Sequence, residues 1–366
     1  MPGGSLHSLL CRCSWYLRFR ADDAADRSLF ADTYARQADA APTPQGRLAV
    51  ACFNGLGPLE CAEMNVFLRE RFFRVVSAQS GRDLRLPRHG GWADRLKHIL
   101  TVYRASKDTG RDFRILHTYP FPLDEYLLPA SHDWRIDPRE VSYDAALCRP
   151  CYVRSPRRYP DSRAYEAWRL RRILAGGDAC VHVFGRYMAV PEEEFPVLFR
   201  ELFRPAPALA DALGAVRAEL GGRYVSAVFR FLHALGDPMD AIFRELPAAG
   251  KERLVQTCLQ ALEGFLREYP AHRILVCSDS AVFLERVRAL GDGRLYVIPG
   301  RPVHPEQDLS ATYAERLRVF TEFLAISRAE RVFNVVAPGM YRSGFPLCAA
   351  LAGGRPDEVR RIPLAP

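Results

Sequence analysis

The 366-residue chain contains no run of 18 or more apolar residues, so the sequence offers no membrane-spanning helix. Lysine is almost missing. Lys97, Lys107 and Lys251 are the only lysines among 51 basic residues, the other 48 being arginine. The net charge of +8 therefore rests on arginines spread along the chain without a basic stripe, which argues against a nucleic-acid binder. Arginine suits an anionic small molecule better, because its planar fork of donors matches phosphate. There is no G-x-x-x-x-G-K-[ST], which disfavours a P-loop kinase or NTPase. There is also no D-x-D, so the carboxylate pair with which many transferases hold Mn or Mg beside a nucleotide sugar is missing. The partly apolar stretch Ser5 to Phe19 carries His7, Arg12 and Arg18 and no small-residue cleavage site, so a signal peptide is not expected and the location is read as cytoplasmic. Ten cysteines are scattered, and Cys52, Cys258, Cys277 and Cys348 fall inside predicted elements as reduced, buried thiols. Cys148 and Cys151 form one C-x-x-C, but no second pair and no His pair accompany them. They read as two thiols near a turn at Pro150, and no metal site is expected.

What is there reads as two α/β domains. Residues 1–45 mix Asp, Ala, Arg and Pro without sustained periodicity and are expected to form an extension with one short helix. Strand and helix alternate from Leu48. Leu48 to Phe53 reads as a buried strand, a helix starts at Pro58, and Asn54, Gly55, Leu56 and Gly57 make only a weak dinucleotide fingerprint because Glu60 stands at the third glycine. Leu96, Ile99, Leu100 and Tyr103 mark a helix face that stops at Gly110, Phe113 to Leu116 is the next strand, and Val181 to Phe184 the last of this half. A Pro-rich segment, Phe195 to Pro207, holds the boundary, giving domains 46–203 and 204–366. The second domain alternates cleanly: strands at Tyr224–Phe229, Ile274–Cys277, Leu295–Ile298 and Val332–Val336 are separated by helices at 252–267, 281–290 and 313–326. That pattern predicts a parallel sheet covered on both faces.

In such a sheet ligands bind at the carboxyl ends of the strands. Arg230 ends one strand, Ser278 and Asp279 end another, and a loop with Gly339, Ser343 and Gly344 leads into a helix near Phe345. Glycines let backbone approach a phosphate, a helix N-terminus offers unpaired N–H groups, and Arg230 would neutralise a diphosphate. Asp279 is read as an acceptor for a ribose or base. Each residue has a plainer reading, as surface arginine, helix cap or turn. Their joint placement on one sheet edge favours the site.

At these residues the sequence resembles the GT-B fold fucosyltransferase superfamily, which contains protein O-fucosyltransferases, nodulation fucosyltransferases and α-1,6-fucosyltransferases. Gly90 to Lys97, followed by Thr109 to Arg111 and the strand Phe113 to Leu116, resembles its G-G-x-x-(N/D)-R-L block. Glu201 to Pro205 is similar to its interdomain segment. Tyr224 to Phe231 resembles the strand ending in H-x-R-R, with Arg230 on the first arginine, and Cys277 to Ser280 the A-T-D-(S/D) block. Ser327 to Phe345 resembles the S-R-x-x-x-x-x-G-S-x-S-x-F-S block around the nucleotide. The resemblance implies two Rossmann-like domains facing each other across a cleft, acceptor side first and nucleotide-sugar side second. It implies metal-independent, inverting transfer of fucose or a related sugar from a GDP-sugar to a glycan or other hydroxyl, with no cofactor beyond the donor. Asp94 is then the leading candidate for the base, with a helix-cap role as its alternative, and Asp124 and Glu125 are held in reserve. His304 is placed near the base or ribose, or in a surface loop. Val228 and Phe231 stand where the superfamily has His and the second Arg, and the following Asp is displaced to Asp237. These departures keep a catalytically inactive, nucleotide-sugar-binding pseudoenzyme open as the alternative.

Overall fold

The computed structural model describes residues 6–37, 47–52, 91–118, 120–153, 162–185, 189–237, 245–305, 308, 310–355 and 357–364. The helix expected after Pro58, the Asn54–Gly57 turn and Gly90 lie outside the described residues. The chain forms two compact units, one comprising Met1–Gly90, Asp94–Pro122 and His132–Val190, the other Gly91–Ala93, Leu123–Ser131 and Pro191–Pro366. Glu201 to Pro205, matched above to an interdomain segment, lies wholly within the second unit.

The first unit is built from α1 (Leu6–Gln37), β1 (Leu48–Cys52), α2 (Trp92–Thr109, apart from its first two residues) and β2 (Asp112–Leu116). After β3 (Leu127–Pro129), which belongs to the second unit, the first resumes with β4 (Cys148–Val153), α3 (Ser162–Leu174) and β5 (Cys180–Gly185). Its four strands are parallel in the order β2-β1-β5-β4. Gly110 ends α2 at φ 64°, a left-handed position that glycine adopts without a Cβ clash. Two readings are corrected here. The extension is not loosely ordered around one short helix: α1 runs for 32 residues. Its Asp26 is fully buried, accepting from Arg169 Nη1 of α3 at 2.9 Å and from the Tyr152 N–H of β4 at 3.0 Å. Phe30 stacks on Phe184 with ring centroids 4.0 Å apart. A strip this sparse has little amphipathic signal, and buried polar pairing supplies part of what apolar periodicity usually announces. Nor do Cys148 and Cys151 flank a turn. They lie in β4, an edge strand that tolerates Pro150, which has no N–H to donate, because no strand waits for one on its outer side.

The second unit continues with α4 (Phe195–Leu202), β6 (Phe203–Pro205), α5 (Pro207–Leu220), β7 (Tyr224–Phe229) and α6 (Ala248–Glu268). β8 (Arg273–Ser278), α7 (Ala281–Ala289), β9 (Leu295–Tyr296), α8 (Tyr313–Arg328), β10 (Val332–Val336), α9 (Gly344–Gly353) and β11 (Asp357–Arg361) complete it. β3 and β6 pair antiparallel as a separate ribbon. The main sheet is parallel, ordered β9-β8-β7-β10-β11. All six residues of β7 are buried, as a strand covered on both faces requires. Val225, Ala227 and Phe229 pack with Leu254, Leu262 and Phe265 of α6 and Phe283 of α7. The other face carries Tyr224, whose hydroxyl donates to Ala325 O of α8 at 2.6 Å. The short α4 and the edge strand β11 were not foreseen.

Candidate functional site

The strand order decides where a ligand can sit. From central β7 the chain steps outward to β8 and β9, then returns to place β10 and β11 on the other side. The loops after β7 and β10 therefore leave in opposite directions, and the crevice at this switch point is where open parallel sheets hold ligands. Arg230 follows β7 and residues 337–343 follow β10. The Tyr341 N–H donates to Arg230 O at 3.2 Å, tying the two loops together across the switch point.

Asp279, just past β8, fixes the geometry of Arg230. Its Oδ1 accepts the Phe231 N–H and its Oδ2 the Leu232 N–H, each at 2.8 Å, and Oδ2 lies 3.2 Å from Arg230 Nε. Leu232 is held at φ 56°, uncommon for a branched side chain, and these two bonds hold it there. Burial pushes the Asp279 carboxyl above its usual range, with Arg230 and the two backbone N–H groups pulling it back. The guanidinium is pinned through Nε, while its side chain remains 20% exposed and its two Nη groups make no hydrogen bond among the described residues. A fork with fixed direction and open ends is what a phosphate needs.

Two helices begin at this edge, and they differ in what occupies their N-termini. On α7, Ser280 caps the Phe283 N–H at 3.1 Å, and Asp237 accepts from Ser280 Oγ at 2.5 Å and from the Ala281 N–H at 2.9 Å. That terminus already holds a carboxylate. On α9, Ser343 caps the Phe345 N–H at 3.1 Å and no acidic residue stands in the first turn. The positive end of α9 is the one left for an external anion. Asn334 of β10, itself buried, donates to Ser343 O at 2.8 Å and fixes the cap against the sheet. Gly339 turns the preceding loop at φ 89°.

The other expected residues divide. Ser278 is buried and accepts from the Ser280 N–H at 3.1 Å, a turn contact beside Asp279. Phe345 packs with Val303, Ala311 and Val319 and edge-on to Phe323, so it is a wall of the unit's interior. His304 is half-buried against Gly91, where an added Cβ would come within 3.1 Å of Nε2. Asp94 opens the described part of α2 in the first unit and pairs with Lys97 at 2.6 Å. Asp124 and Glu125 are exposed in a short 3-10 turn of the second unit. Val228 and Phe231, the positions that depart from H-x-R-R, are both buried in the core.

One charged pair escaped the sequence reading. Arg318 and Glu322, a turn apart on α8, are buried with Nη2 and Oε1 2.7 Å apart, and Arg318 Nε donates to Ile298 O at 3.3 Å. Burial raises the Glu322 carboxyl, with Arg318 opposing and the nearby Asp279 charge adding to the rise. Arg318 Nη1 is buried without a hydrogen-bond partner among the described residues. Two ionisable residues at i, i+4 within an otherwise apolar helix centre were the available signal.

No family model matches the sequence, and no curated protein matches it either. Solved structures do. A variant of Arabidopsis thaliana FUT1 in complex with GDP aligns at TM-score 0.51 and 12% identity, over 98% of this chain and 79% of that one. The fucosyltransferase NodZ from Bradyrhizobium aligns at 0.45 and 16% identity, over 72% and 90%, and the apo form of POFUT1 at 0.46 and 11%, over 87% and 99%. The fold class is thus the α/β, GT-B class expected above. The chain shares its fold with the plant fucosyltransferase.

Proposed function

We propose that the protein is a glycosyltransferase whose second unit binds the donor, a GDP-sugar, with GDP-fucose the first to test. The observation that carries this is the Arg230 guanidinium, held by Asp279 with its Nη fork open, on a loop bonded to the one that leads into α9, whose first turn has no acidic residue. Both features serve a diphosphate, and both serve it best as a leaving group gathering charge. In an inverting step a base takes the proton of the acceptor hydroxyl, its oxygen attacks the anomeric carbon, and the bond to the diphosphate breaks with its electron pair going to the GDP oxygen. Arg230 and the α9 amides would stabilise that charge. With arginine and backbone amides in this role, no divalent ion is required. Asp94 is the proposed base, and the acceptor is a carbohydrate or glycoconjugate hydroxyl.

The second reading, a binding protein without turnover, is favoured by one observation: the side chains at Val228 and Phe231 are committed to the core and supply neither His nor Arg. One experiment separates the readings in order. Thermal unfolding of wild type and Arg230→Ala is measured with GDP, GDP-fucose, GDP-mannose, UDP-sugars and ADP, without added metal. A ligand at 100 times its Kd stabilises by about 2.7 kcal/mol. GDP species alone should raise the wild-type Tm, and the variant should lose the effect. If no nucleotide shifts the melt, the donor site is wrong. If GDP-fucose binds, Asp94→Ala should abolish turnover and leave donor affinity nearly intact.

A further inference from the structure

β4 and β5 are parallel neighbours with Cys148 in register with Cys180 and Pro150 with His182. Because side chains alternate along a strand, Cys180 and His182 share one face of β5, and Cys148 joins them from β4. Cys151, three residues further on, points to the opposite face, so the C-x-x-C seen in the sequence is not a chelating pair. Its first cysteine has a cross-strand partner instead. The two Sγ atoms and a ring nitrogen of His182 lie within 4.8 Å of one another, and all three residues are at most 1% exposed.

The Tyr34 hydroxyl of α1 lies 2.7 Å from His182 Nδ1, and the Tyr143 ring packs against both Tyr34 and His182. His182 Nε2 is buried and has no hydrogen-bond partner among the described residues. An imidazole with one nitrogen oriented by a hydroxyl and the other left bare in the interior is the arrangement seen where histidine binds a metal. Zn–S bonds of about 2.3 Å and Zn–N bonds of about 2.0–2.1 Å separate tetrahedral ligands by about 3.7 Å. The observed spacing closes to that by roughly 1 Å, within the reach of χ1 rotation.

We propose that Cys148, Cys180 and His182 supply three ligands of a thiophilic metal ion, Zn(II), with a water molecule as the fourth, and that the ion clips the edge strand β4 to β5 beneath α1. The donor set, two thiolates and an imidazole, selects zinc over magnesium or calcium. This site lies in the first unit, whereas the residues proposed for the donor diphosphate lie in the second. Its role is structural and does not depend on the reading of that donor site.

The test uses the whole chain, reduced, stripped with a chelator, equilibrated with Zn(II) and freed of excess by gel filtration. About one equivalent should remain bound, and Tm should rise on loading. Co(II) should give the thiolate charge-transfer band and visible bands of a tetrahedral site. Cys148→Ser, Cys180→Ser and His182→Ala should each lose the ion and the gain in Tm, while Cys151→Ser keeps both. The wild type needs no variant to decide the matter. If the folded, reduced chain retains no zinc, the proposal falls. It falls equally if Cys148→Ser retains a full equivalent, or if Cys151→Ser loses it, since the ion would then be held by other ligands.

Discussion

Single residues at the carboxyl edge of the second unit do more structural work than their positions in the sequence announce. Asp279 was expected to meet a ribose or base, and its oxygens are engaged in holding the Phe231–Leu232 turn and aiming Arg230. Asp237, which looked displaced from a motif, caps α7. Asp357 at the start of β11, level with Val332 at the start of β10, is a further partly buried carboxylate. Burial pushes its carboxyl up to about 6, with Arg342 opposing. The folded state therefore holds this proton more tightly than the unfolded chain. Its contribution is fully present below the unfolded value of 3.8 and is lost as pH rises through about 6. Asp357→Asn should accordingly stabilise the protein at pH 8, by about 1–2 kcal/mol after allowing for partial exposure, and change little at pH 4. Denaturant midpoints at the two pH values decide it. An equal effect at both would remove the electrostatic explanation.

Among the elements, the contact of α8 with α9 is the one a sequence pattern cannot report. A Cβ built on Gly353 would lie 1.8 Å from Ser327 O and 2.8 Å from its carbonyl carbon. Both are backbone atoms, so the helices would have to part. Gly264, inside α6, has nothing within 4 Å of a built Cβ. Gly353→Ala should therefore cost about 1–3 kcal/mol or more, while Gly264→Ala should gain about 0.5–1 kcal/mol through helix propensity alone. Chemical denaturation of the pair reads the difference, and similar small effects for both would mean that α8 and α9 can yield. The element boundaries of the second unit were largely legible because its strands are short apolar runs between amphipathic helices. α1 and β4 were not: one has weak periodicity, and the other is an edge strand interrupted by proline.

At the scale of the whole molecule, the first unit holds buried imidazoles that tie its stability to acid. His98 of α2 is buried, bonded to Val183 O of β5 at 3.0 Å, and burial drives its imidazole down to about 4. Stability from keeping it neutral is present above the unfolded value of 6.5 and is lost as pH falls towards 4, up to about 3 kcal/mol. Amide exchange in α2 and β5 should accelerate over that interval, and His98→Gln should weaken the response while leaving the part due to His182, which burial also drives down to about 4. An unchanged profile in the variant would assign the acid limb to other groups. The sequence by itself determined the α/β class, the alternation of the second half and the arginine, carboxylate and glycine positions at its strand ends, because these are local: periodicity, turn chemistry and strand termini need no distant partner. Tertiary structure decided the rest. Strand order selected the switch point, Asp237 showed which helix terminus is already filled, and register brought Cys148 beside Cys180 and His182 across some thirty residues of chain. Proximity between strands is a property of pairing, and a linear pattern does not record which strand lies next to which.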